Sequence, residues 1–355
     1  MTWTLLLPAR SDDCVARYSE LAELGAMLHA ACFSSHHPNS HELVASWFSE
    51  VDTSLMTLIR EWEPVWGPYR ARYMLPLSMD PGMSFEAEIE AINKLPVETF
   101  VDFTMRAIVA GVRTPSNASS RGTYDEQFLA RAERMSPVRG KLAAYVRADP
   151  AAARKQLVEL LTRVRAGSVI DREFSRVSRV LRARSHAMTS ELRNRGLAAI
   201  TSTSPMATLS ADGSRVVFDK QSYSVTRSTD GLLLLPSHHL HPHIVVKGGD
   251  GYPALVHYPP RNENAVPYAM ITQRLKALHD PTRRLIIREL LRQPRPTVDL
   301  GLELRMTEPQ ISRHLRVLRD AGIVSASREG RIVRYRVEQS VIEHWGADLI
   351  EALNR

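Results

Sequence analysis

The spacing of apolar residues divides the chain into a helical part and a part rich in strands. Up to about residue 200, apolar positions recur three or four residues apart, as Leu21, Leu24 and Leu28 do within a helix predicted over residues 11–33. Asp149-Pro150 is typical of a helix start, with Asp as the cap and Pro at the first helical position. The further predicted helices cover residues 41–61, 84–94, 97–109 and 125–146, and a long one runs from Asp149 towards Leu197.

After residue 200 the apolar runs become short and alternate with turn residues. Residues 209–218 predict a hairpin around Asp212-Gly213, because Asp-Gly suits the tight turn between two antiparallel strands. Further strands are predicted over residues 231–236, 244–247 and 254–258. Three prolines within residues 259–267 predict a domain boundary. This order of elements indicates an α+β fold, mostly helical over residues 1–200 and β-rich over 201–262.

The last ninety residues carry the local signals of three short helices. Asp280-Pro281 predicts the start of the first, and residues 297–305 form a second. Thr307 predicts the start of the third, where Gln310 stands three residues later in a capping-box pattern.

This third helix has two chemically different faces. At 3.6 residues per turn, Ile311, Leu315 and Leu318 form one apolar stripe. The opposite side and its flanks carry Gln310, Ser312, Arg313 and Arg316. Amide, hydroxyl and guanidinium groups suit base edges and phosphates, so the pattern predicts a recognition helix for the DNA major groove.

Two short strands, residues 324–327 and 332–337, follow this helix and are joined at Glu329-Gly330. Arg328 and Arg331 flank the turn, so the hairpin predicts a wing that contacts phosphates or the minor groove. A final helix carries an apolar stripe of Ile342, Trp345, Leu349 and Leu353. A terminal helix with such a stripe often pairs with a copy of itself.

The charge distribution supports a nucleic-acid surface in this region. The formal net charge is +7, and residues 305–336 contain eight arginines against three acidic residues. A winged helix that binds only proteins is the alternative, and the concentration of arginine favours DNA.

The run LKALHDPTRRLIIRELL followed by MTEPQISRHLRVLRDAGIVSASREGRIVRYRV resembles the ArsR/SmtB family of bacterial winged-helix repressors. The resemblance implies a homodimer that binds an inverted repeat in double-stranded DNA. It also implies that His314 belongs to the part of the recognition helix that contacts DNA. It also implies dimerisation through the helices near residues 271–278 and 342–353. The predicted DNA contacts are Thr307, Gln310, Ser312, Arg313, His314, Arg316, Arg328, Arg331 and Arg334, and the predicted dimer contacts are Ile271, Leu275, Leu278, Ile342, Trp345, Leu349 and Leu353.

Two features depart from that family. Residues 296–300 hold no thiol and His344 lacks suitably spaced partners, so we predict neither of the family's metal sites and no cofactor. The winged helix, residues 263–355, also follows an N-terminal domain of residues 1–262, for which we predict dimerisation, binding of a small non-metal effector, or both. That domain resembles the N-terminal region of long actinobacterial regulators of this type, in TLLLPARSDDC and in GLLLLPSHHLHPHIVV with PALVHYPPR.

Histidines are concentrated just before the predicted boundary. On a strand, His239, His241 and His243 would share one face and offer metal ligands. Pro242 and the absence of a nearby cysteine favour an ordinary loop instead.

The aromatic and thiol groups of the N-terminal domain suggest packing rather than chemistry. Trp47, Trp62 and Trp66 could line a ligand pocket, but core packing is the simpler interpretation. We expect Cys14 and Cys32 to be buried small residues in a reducing cytoplasm.

Other classes of protein find little support in the chain. There is no Walker loop, dinucleotide fingerprint, HExxH or GxSxG, so we predict no enzyme, although an enzyme with a DNA-binding tail is a third hypothesis. No apolar run is long enough for a membrane span, so we expect no membrane partner.

Overall fold

The computed structural model describes residues 2–33, 37, 41–109, 124–219, 223–249, 251–259, 266–330, 332–346 and 348–349. The chain divides into an N-terminal unit, Met1–Arg261, and a C-terminal unit, Asn262–Arg355. Helices and small sheets occur together, which confirms the α+β class.

Helices dominate the first two hundred residues of the N-terminal unit. They are α1 (Glu20–Cys32), α2 (His41–Glu50), α3 (Thr53–Glu61), α4 (Glu63–Trp66), α5 (Phe85–Asn93), α6 (Val97–Val109), α7 (Glu126–Met135), α8 (Pro137–Ala148), α9 (Pro150–Arg165) and α10 (Ser168–Arg195). Short 3-10 turns cover Ser11–Asp13, Arg72–Met74 and Gly196–Thr203. The predicted start at Asp149-Pro150 is confirmed, since Asp149 Oδ1 accepts a hydrogen bond from the Ala152 N–H at 2.9 Å.

Eight strands of this unit form two four-stranded sheets. They are β1 (Thr2–Leu6), β2 (Cys14–Ala16), β3 (Ala207–Leu209), β4 (Arg215–Asp219), β5 (Ser224–Arg227), β6 (Leu232–Pro236), β7 (Val245–Gly249) and β8 (Tyr252–Tyr258). The strand orders are β3-β4-β1-β5 and β2-β6-β8-β7. In the second sheet β2, β6 and β8 are parallel, and β7 is an antiparallel edge.

Strand β6 shows why this second sheet is well buried. All five of its residues are buried, as expected when helices and loops cover both faces of a parallel sheet. Leu232 and Leu234 belong to a core that includes residues of α10, whereas Leu233 and Leu235 contact Ala22 of α1 and its neighbours. The loop that follows β6 is therefore held close to α1.

The N-terminal unit differs from its prediction in two ways. Residues 11–33 are not one helix, because Ser11–Asp13 is a 3-10 turn and Cys14–Ala16 is the strand β2, ahead of α1. The prediction of helices throughout residues 1–200 also missed β1. The predicted helices over residues 41–61, 125–146 and 149–197 are each two consecutive helices, and Asp52 and Ser136 cap the second helix of the first two pairs.

The tryptophans and cysteines behave as expected of packing residues. Trp47, Trp62 and Trp66 are at most 2% exposed, so core packing is confirmed. Both cysteines are free thiols; Cys14 is buried as predicted, whereas Cys32 is only half-buried. Burial raises the pKa of Cys14 to about 12 and that of Cys32 to about 11. Neither thiol is poised for reaction near neutral pH.

A network of buried charges crosses the N-terminal core. Glu23 of α1 accepts hydrogen bonds from two backbone N–H groups of the loop after β6 and from His239 Nδ1 at 2.7 Å. His239 Nε2 lies 3.0 Å from a carboxylate oxygen of Glu173 on α10. Arg70 Nη1 lies 3.3 Å from His257 Nδ1 on β8.

The pKa shifts of this network show which groups are charged. Burial raises the pKa of Glu23, but the hydrogen bonds with His239 and Ser237 and the charge of His239 together outweigh it and bring the value to about 2. Burial lowers the pKa of His239, yet hydrogen bonds to Glu173 and Glu23 raise it overall. Burial and the neighbouring Arg70 lower the pKa of His257 to about 3. His239 is thus held as the cation of an ion pair, whereas His257 is buried neutral.

The C-terminal unit has the predicted order of elements. Its helices are α11 (Tyr268–His279), α12 (Pro281–Arg292), α13 (Thr297–Leu304), α14 (Glu308–Asp320) and α15 (Gln339–Glu343). Its sheet has the order β10-β11-β9, with β9 (Arg295–Pro296), β10 (Val324–Glu329) and β11 (Ile332–Val337). The final helix predicted over residues 342–353 begins earlier, at Gln339, and is interrupted: α15 ends at Glu343, and residues 345–346 and 348–349 are again helical. None of the described helices is long and apolar enough to cross a membrane.

Candidate nucleic-acid interface

Helix α14 is anchored by its start and by its apolar side. The Thr307 N–H donates a 2.9 Å hydrogen bond to Gln310 Oε1, as the capping box predicts. Ile311, Leu315 and Leu318 are at most 1% exposed and pack into the core of the C-terminal unit. The helix is therefore fixed in rotation, and its opposite side must face solvent.

That opposite side is the front face of α14, which we define as Gln310, Ser312, Arg313 and Arg316. All four residues are exposed, as is Thr307 at the cap. Arg313 Nε donates to the Pro309 carbonyl at 3.3 Å, and its side chain remains at the surface. Gln310 uses its oxygen in the cap, which leaves its Nε2 amide hydrogens to reach a partner.

His314 is less exposed than the residues of the front face. Its side chain is 22% exposed, and its Nδ1 is 4.0 Å from Oδ2 of Asp280. Asp280 caps α12 by accepting hydrogen bonds from the N–H groups of Thr282 and Arg283. His314 therefore packs between α14 and the start of α12, on the flank of the front face.

The wing follows α14 as a regular hairpin. Strands β10 and β11 are antiparallel, and their outermost pair is Glu329 with Ile332. Gly330 has a φ of 63°, a left-handed conformation that the turn requires and that glycine adopts without strain. Arg328 is exposed and donates from Nε to the Gly330 carbonyl at 3.1 Å. Arg334 is half-buried at the stem, and Arg331 lies outside the described residues.

The predicted dimer contacts differ in how much surface they offer. Leu275 of α11 is 44% exposed, whereas Ile271 on the same helix is 1% exposed. Leu278 and Ile342 are half-buried against the core of their own unit. Trp345 and Leu349 are half-buried, and Leu353 lies outside the described residues. Among the predicted contacts that the structure describes, Leu275 therefore has the largest exposed fraction.

The sequence prediction missed Arg305 as a site residue. Arg305 lies in the turn between α13 and α14 with a φ of 52° and a ψ of 45°, and it is exposed. Helices usually end in this left-handed conformation with glycine, because a Cβ there is disfavoured. An arginine at this position places a cation beside the start of the front face. A left-handed conformation at an arginine cannot be read from residue type, so no sequence signal could have shown it.

Comparison with known families separates the chain into the same two regions. The family described as "Bacterial regulatory protein, arsR family" matches residues 280–326. The family described as "Family of unknown function (DUF5937)" matches residues 6–264.

Two curated relatives each match about a fifth of the chain. The HTH-type transcriptional regulator NmtR of Mycobacterium tuberculosis is 37% identical over 67 residues, which are 19% of this chain and 56% of that protein. The transcriptional repressor SdpR of Bacillus subtilis is 32% identical over 68 residues, which are 19% of this chain and 76% of that protein. The chain thus spans little more than half the length of NmtR and about three quarters of SdpR.

An ArsR-like transcriptional regulator from Rhodococcus sp. RHA1 has 30% sequence identity and a TM-score of 0.23, and the match covers 23% of this chain and 77% of that one. The chain therefore belongs to the family of unknown function DUF5937, and its C-terminal unit is a winged helix-turn-helix domain of the arsR family of bacterial regulatory proteins.

Proposed function

We propose that this protein is a homodimeric transcriptional repressor that binds an inverted repeat in double-stranded DNA. The observation that carries the proposal is the front face of α14, four exposed polar or cationic residues on a helix whose back is buried. Relatives that are named transcriptional repressors support the direction of regulation.

The chemistry of the front face suits the major groove. Arg313 can donate two hydrogen bonds to a guanine edge, and Ser312 can donate to or accept from a base or a phosphate. Arg316 lies one turn further along and suits a backbone phosphate. The exposed Arg328 on the wing would add a contact outside the major groove.

A symmetric dimer would place these contacts on the two halves of a palindromic DNA site. We propose that the apolar surface of α11 around Leu275 and the segment carrying Trp345 and Leu349 pair with the same surfaces of a second copy. Two-fold symmetry then presents two α14 helices to half-sites about 34 Å apart, one turn of the DNA helix.

The N-terminal unit offers a place for a small effector. A cleft of about 760 Å³ lies between β1, the 3-10 turn after it and the segment after β5. Its lining includes the carboxylates of Asp12, Asp13 and Asp230 and the guanidinium of Arg227. This volume is in the range of small-molecule sites. We propose that a polar effector binds here and alters DNA affinity, and that the protein acts with the chromosome in the cytoplasm.

The first test is selection of bound fragments from the DNA of the source organism. The purified full chain is mixed with sheared genomic DNA at moderate salt, and the retained fragments are sequenced. Enrichment of one inverted repeat is the expected result. Retention without sequence preference, or no retention, would overturn the proposal and favour a winged helix that binds protein.

A pair of arginine variants tests the assigned face. Arg313→Ala should weaken binding to the selected repeat by about 1–3 kcal/mol, or about 5- to 150-fold. Arg193→Ala, which removes an exposed arginine of α10, is the matched control and should leave the affinity unchanged. Equal affinities for the two variants would show that the front face does not read DNA.

A further inference from the structure

Three histidines from distant parts of the N-terminal unit meet in its interior. His29 lies in the last turn of α1, His37 follows that helix, and His243 lies in the loop between β6 and β7. One ring nitrogen of each lies within 4.8 Å of those of the other two. His29 is 3% exposed and His37 is fully buried. We call these three residues the histidine cluster.

The rings are arranged edge to face around a common point. Ring centroids are 4.9 Å apart for His29 and His37, 5.0 Å for His37 and His243, and 5.9 Å for His29 and His243. Each pair has an interplanar angle of 72° or more, so no two rings stack. The possible ligand nitrogens nevertheless lie within 4.8 Å of one another.

A backbone carbonyl orients one of the three rings. His37 Nδ1 lies 2.9 Å from the carbonyl oxygen of His241. Since a carbonyl only accepts, Nδ1 carries the proton and a neutral ring has its lone pair on Nε2. Metal-binding histidines are commonly held in this way, by a hydrogen bond from the second ring nitrogen to a carbonyl.

The close packing of the three rings in a buried site favours neutral imidazoles, which can bind a cation. Three imidazoles packed this closely in a buried site cannot all be protonated without strong repulsion. Neutral imidazole nitrogens are the preferred ligands of Zn²⁺, Ni²⁺, Co²⁺ and Cu²⁺.

A second group of possible ligands, Glu173, His238 and His239, provides an instructive contrast. Arg176 pairs with Glu173 and also lies 3.1 Å from His238 Nε2. His239 is held between Glu23 and Glu173. The guanidinium of Arg176 and the ring of His239 already pair with the carboxylate of Glu173 in this group. The group therefore has no place for a metal ion.

We propose that the histidine cluster binds one divalent transition-metal ion, with Zn²⁺ as the simplest case. In tetrahedral zinc sites, nitrogens about 2.1 Å from the metal are about 3.4 Å from each other. Binding would therefore draw the ring nitrogens, which lie within 4.8 Å of one another, closer by up to about 1.4 Å. His37 and His243 lie outside regular helices and strands, which allows this movement. Three protein ligands leave the fourth position to water.

Bound metal would join the end of α1 to the loop after β6. The proposal does not rest on DNA binding, and the site is separate from the cleft described above. It also lies outside the winged helix, where the sequence analysis considered the family's metal sites. Of the predicted set His239, His241 and His243, only His243 belongs to the histidine cluster.

The test uses the full chain after treatment with a chelator and removal of the chelator. CoCl2 and ZnCl2 are the probes, with titration calorimetry and the visible absorption of bound Co²⁺ as readouts. One ion per chain with tetrahedral Co²⁺ absorption is the expected result. Thermal unfolding should shift upward by about 5 °C at a hundredfold excess of free Zn²⁺ over the Kd. Absence of stoichiometric binding overturns the proposal.

Four variants locate the ion. His243→Ala, on a loop, and His37→Gln should each weaken binding at least about a hundredfold. His238→Ala removes a ligand of the second group, and His186→Ala removes an exposed histidine of α10, so both should bind as the wild type does. Loss of binding in His238→Ala with retention in His243→Ala would overturn the assignment.

A measurement on the wild type keeps the proposal testable if a variant fails to fold, as judged by circular dichroism. X-ray absorption of the zinc-loaded chain reports the donor atoms directly. A shell containing three imidazoles supports the proposal. A shell of mainly carboxylate oxygens overturns it.

Discussion

The two units of this protein place their charged side chains in opposite ways. In the C-terminal unit, the arginines of the front face and of the wing tip are exposed. In the N-terminal unit, Arg17 and Glu88 form an ion pair at 2% side-chain exposure, and Glu23 pairs with His239 at 1%. Buried charges must be compensated within the chain, whereas exposed ones contribute little to stability. Charge therefore supports the fold at these two pairs of the N-terminal unit and is available to a partner at the front face and wing of the C-terminal unit.

The largest expected effect is on the buried network. Glu23→Ala removes the acceptor for His239 and for two backbone N–H groups, and should lower the free energy of unfolding of the N-terminal unit by about 3–5 kcal/mol. Urea unfolding followed by tryptophan fluorescence measures it, since four of the five tryptophans lie in this unit. Glu90→Ala, which breaks the exposed pair with Lys94, is the control and should cost about 0.5 kcal/mol or less. Equal costs would contradict the expectation that buried charges, unlike exposed ones, support the fold.

The pH dependence of stability is the next test, and His257 should control part of it. Its folded pKa of about 3 lies below its ordinary value of 6.5, because of burial and the nearby Arg70, against the weaker opposing effect of Glu23. The contribution of His257 to the free energy of unfolding is therefore fully present above pH 6.5 and is lost as the pH falls towards 3. Between pH 6.5 and 4.5, wild type should lose about 2 kcal/mol more than His257→Gln.

His239 works in the other direction, since its pKa is raised, and its stabilisation is lost as the pH rises above the folded value. Both proteins retain His239, so the difference between them isolates His257. Parallel profiles of unfolding free energy against pH would show that His257 is not buried as a neutral group.

A smaller effect is expected at the turn between α13 and α14. Arg305→Gly relieves the left-handed conformation and should stabilise the C-terminal unit by up to about 1 kcal/mol, reduced by the greater freedom of glycine in the unfolded chain. The same change removes a cation beside the front face and should weaken DNA binding. Thermal unfolding and DNA titration are both measured. Weaker binding without gained stability would mean that the turn is not strained.

Gln310 has two proposed roles, as part of the cap of α14 and as a DNA contact. Two variants separate these roles and should have the smallest effect on stability. Gln310→Ala removes the acceptor for the Thr307 N–H and should cost about 0.5–1 kcal/mol in the C-terminal unit. Gln310→Glu keeps an acceptor and should preserve stability, because a negative charge is favourable at a helix start. Its charge repels phosphates, so it should weaken DNA binding more than the alanine variant does. The opposite ranking of DNA affinities would argue against contact between this face and DNA.

The accuracy of the sequence analysis differs between the two units for a physical reason. In the C-terminal unit, Asp280 caps α12, Thr307 and Gln310 cap α14, and Gly330 forms the wing turn, as predicted. Each of these signals involves residues at most a few positions apart. In the N-terminal unit, β1 pairs with β4 more than two hundred residues away, with Thr2 opposite Asp219. No local pattern identifies such a partner.

The predicted DNA contacts show the same limit on a smaller scale. Helical periodicity correctly placed Ser312, Arg313 and Arg316 on an exposed face, because the spacing of Ile311, Leu315 and Leu318 fixes the rotation of α14. The side-chain environment of His314 depends on where α12 packs. Its ring lies beside Asp280, the cap of α12, on the flank of the front face. Likewise, packing of α11 against its own unit buries Ile271 and leaves Leu275 exposed.

The sequence by itself determined the α+β class, the helices, wing and front face of the C-terminal unit, and its resemblance to the arsR family, because caps, turns and periodicity act over a few residues. Only the tertiary structure decided the two sheets of the N-terminal unit, the buried pairing of Glu23 with His239, and the meeting of His29, His37 and His243. Those features join residues about two hundred positions apart. Long-range burial, rather than local preference, brings them together.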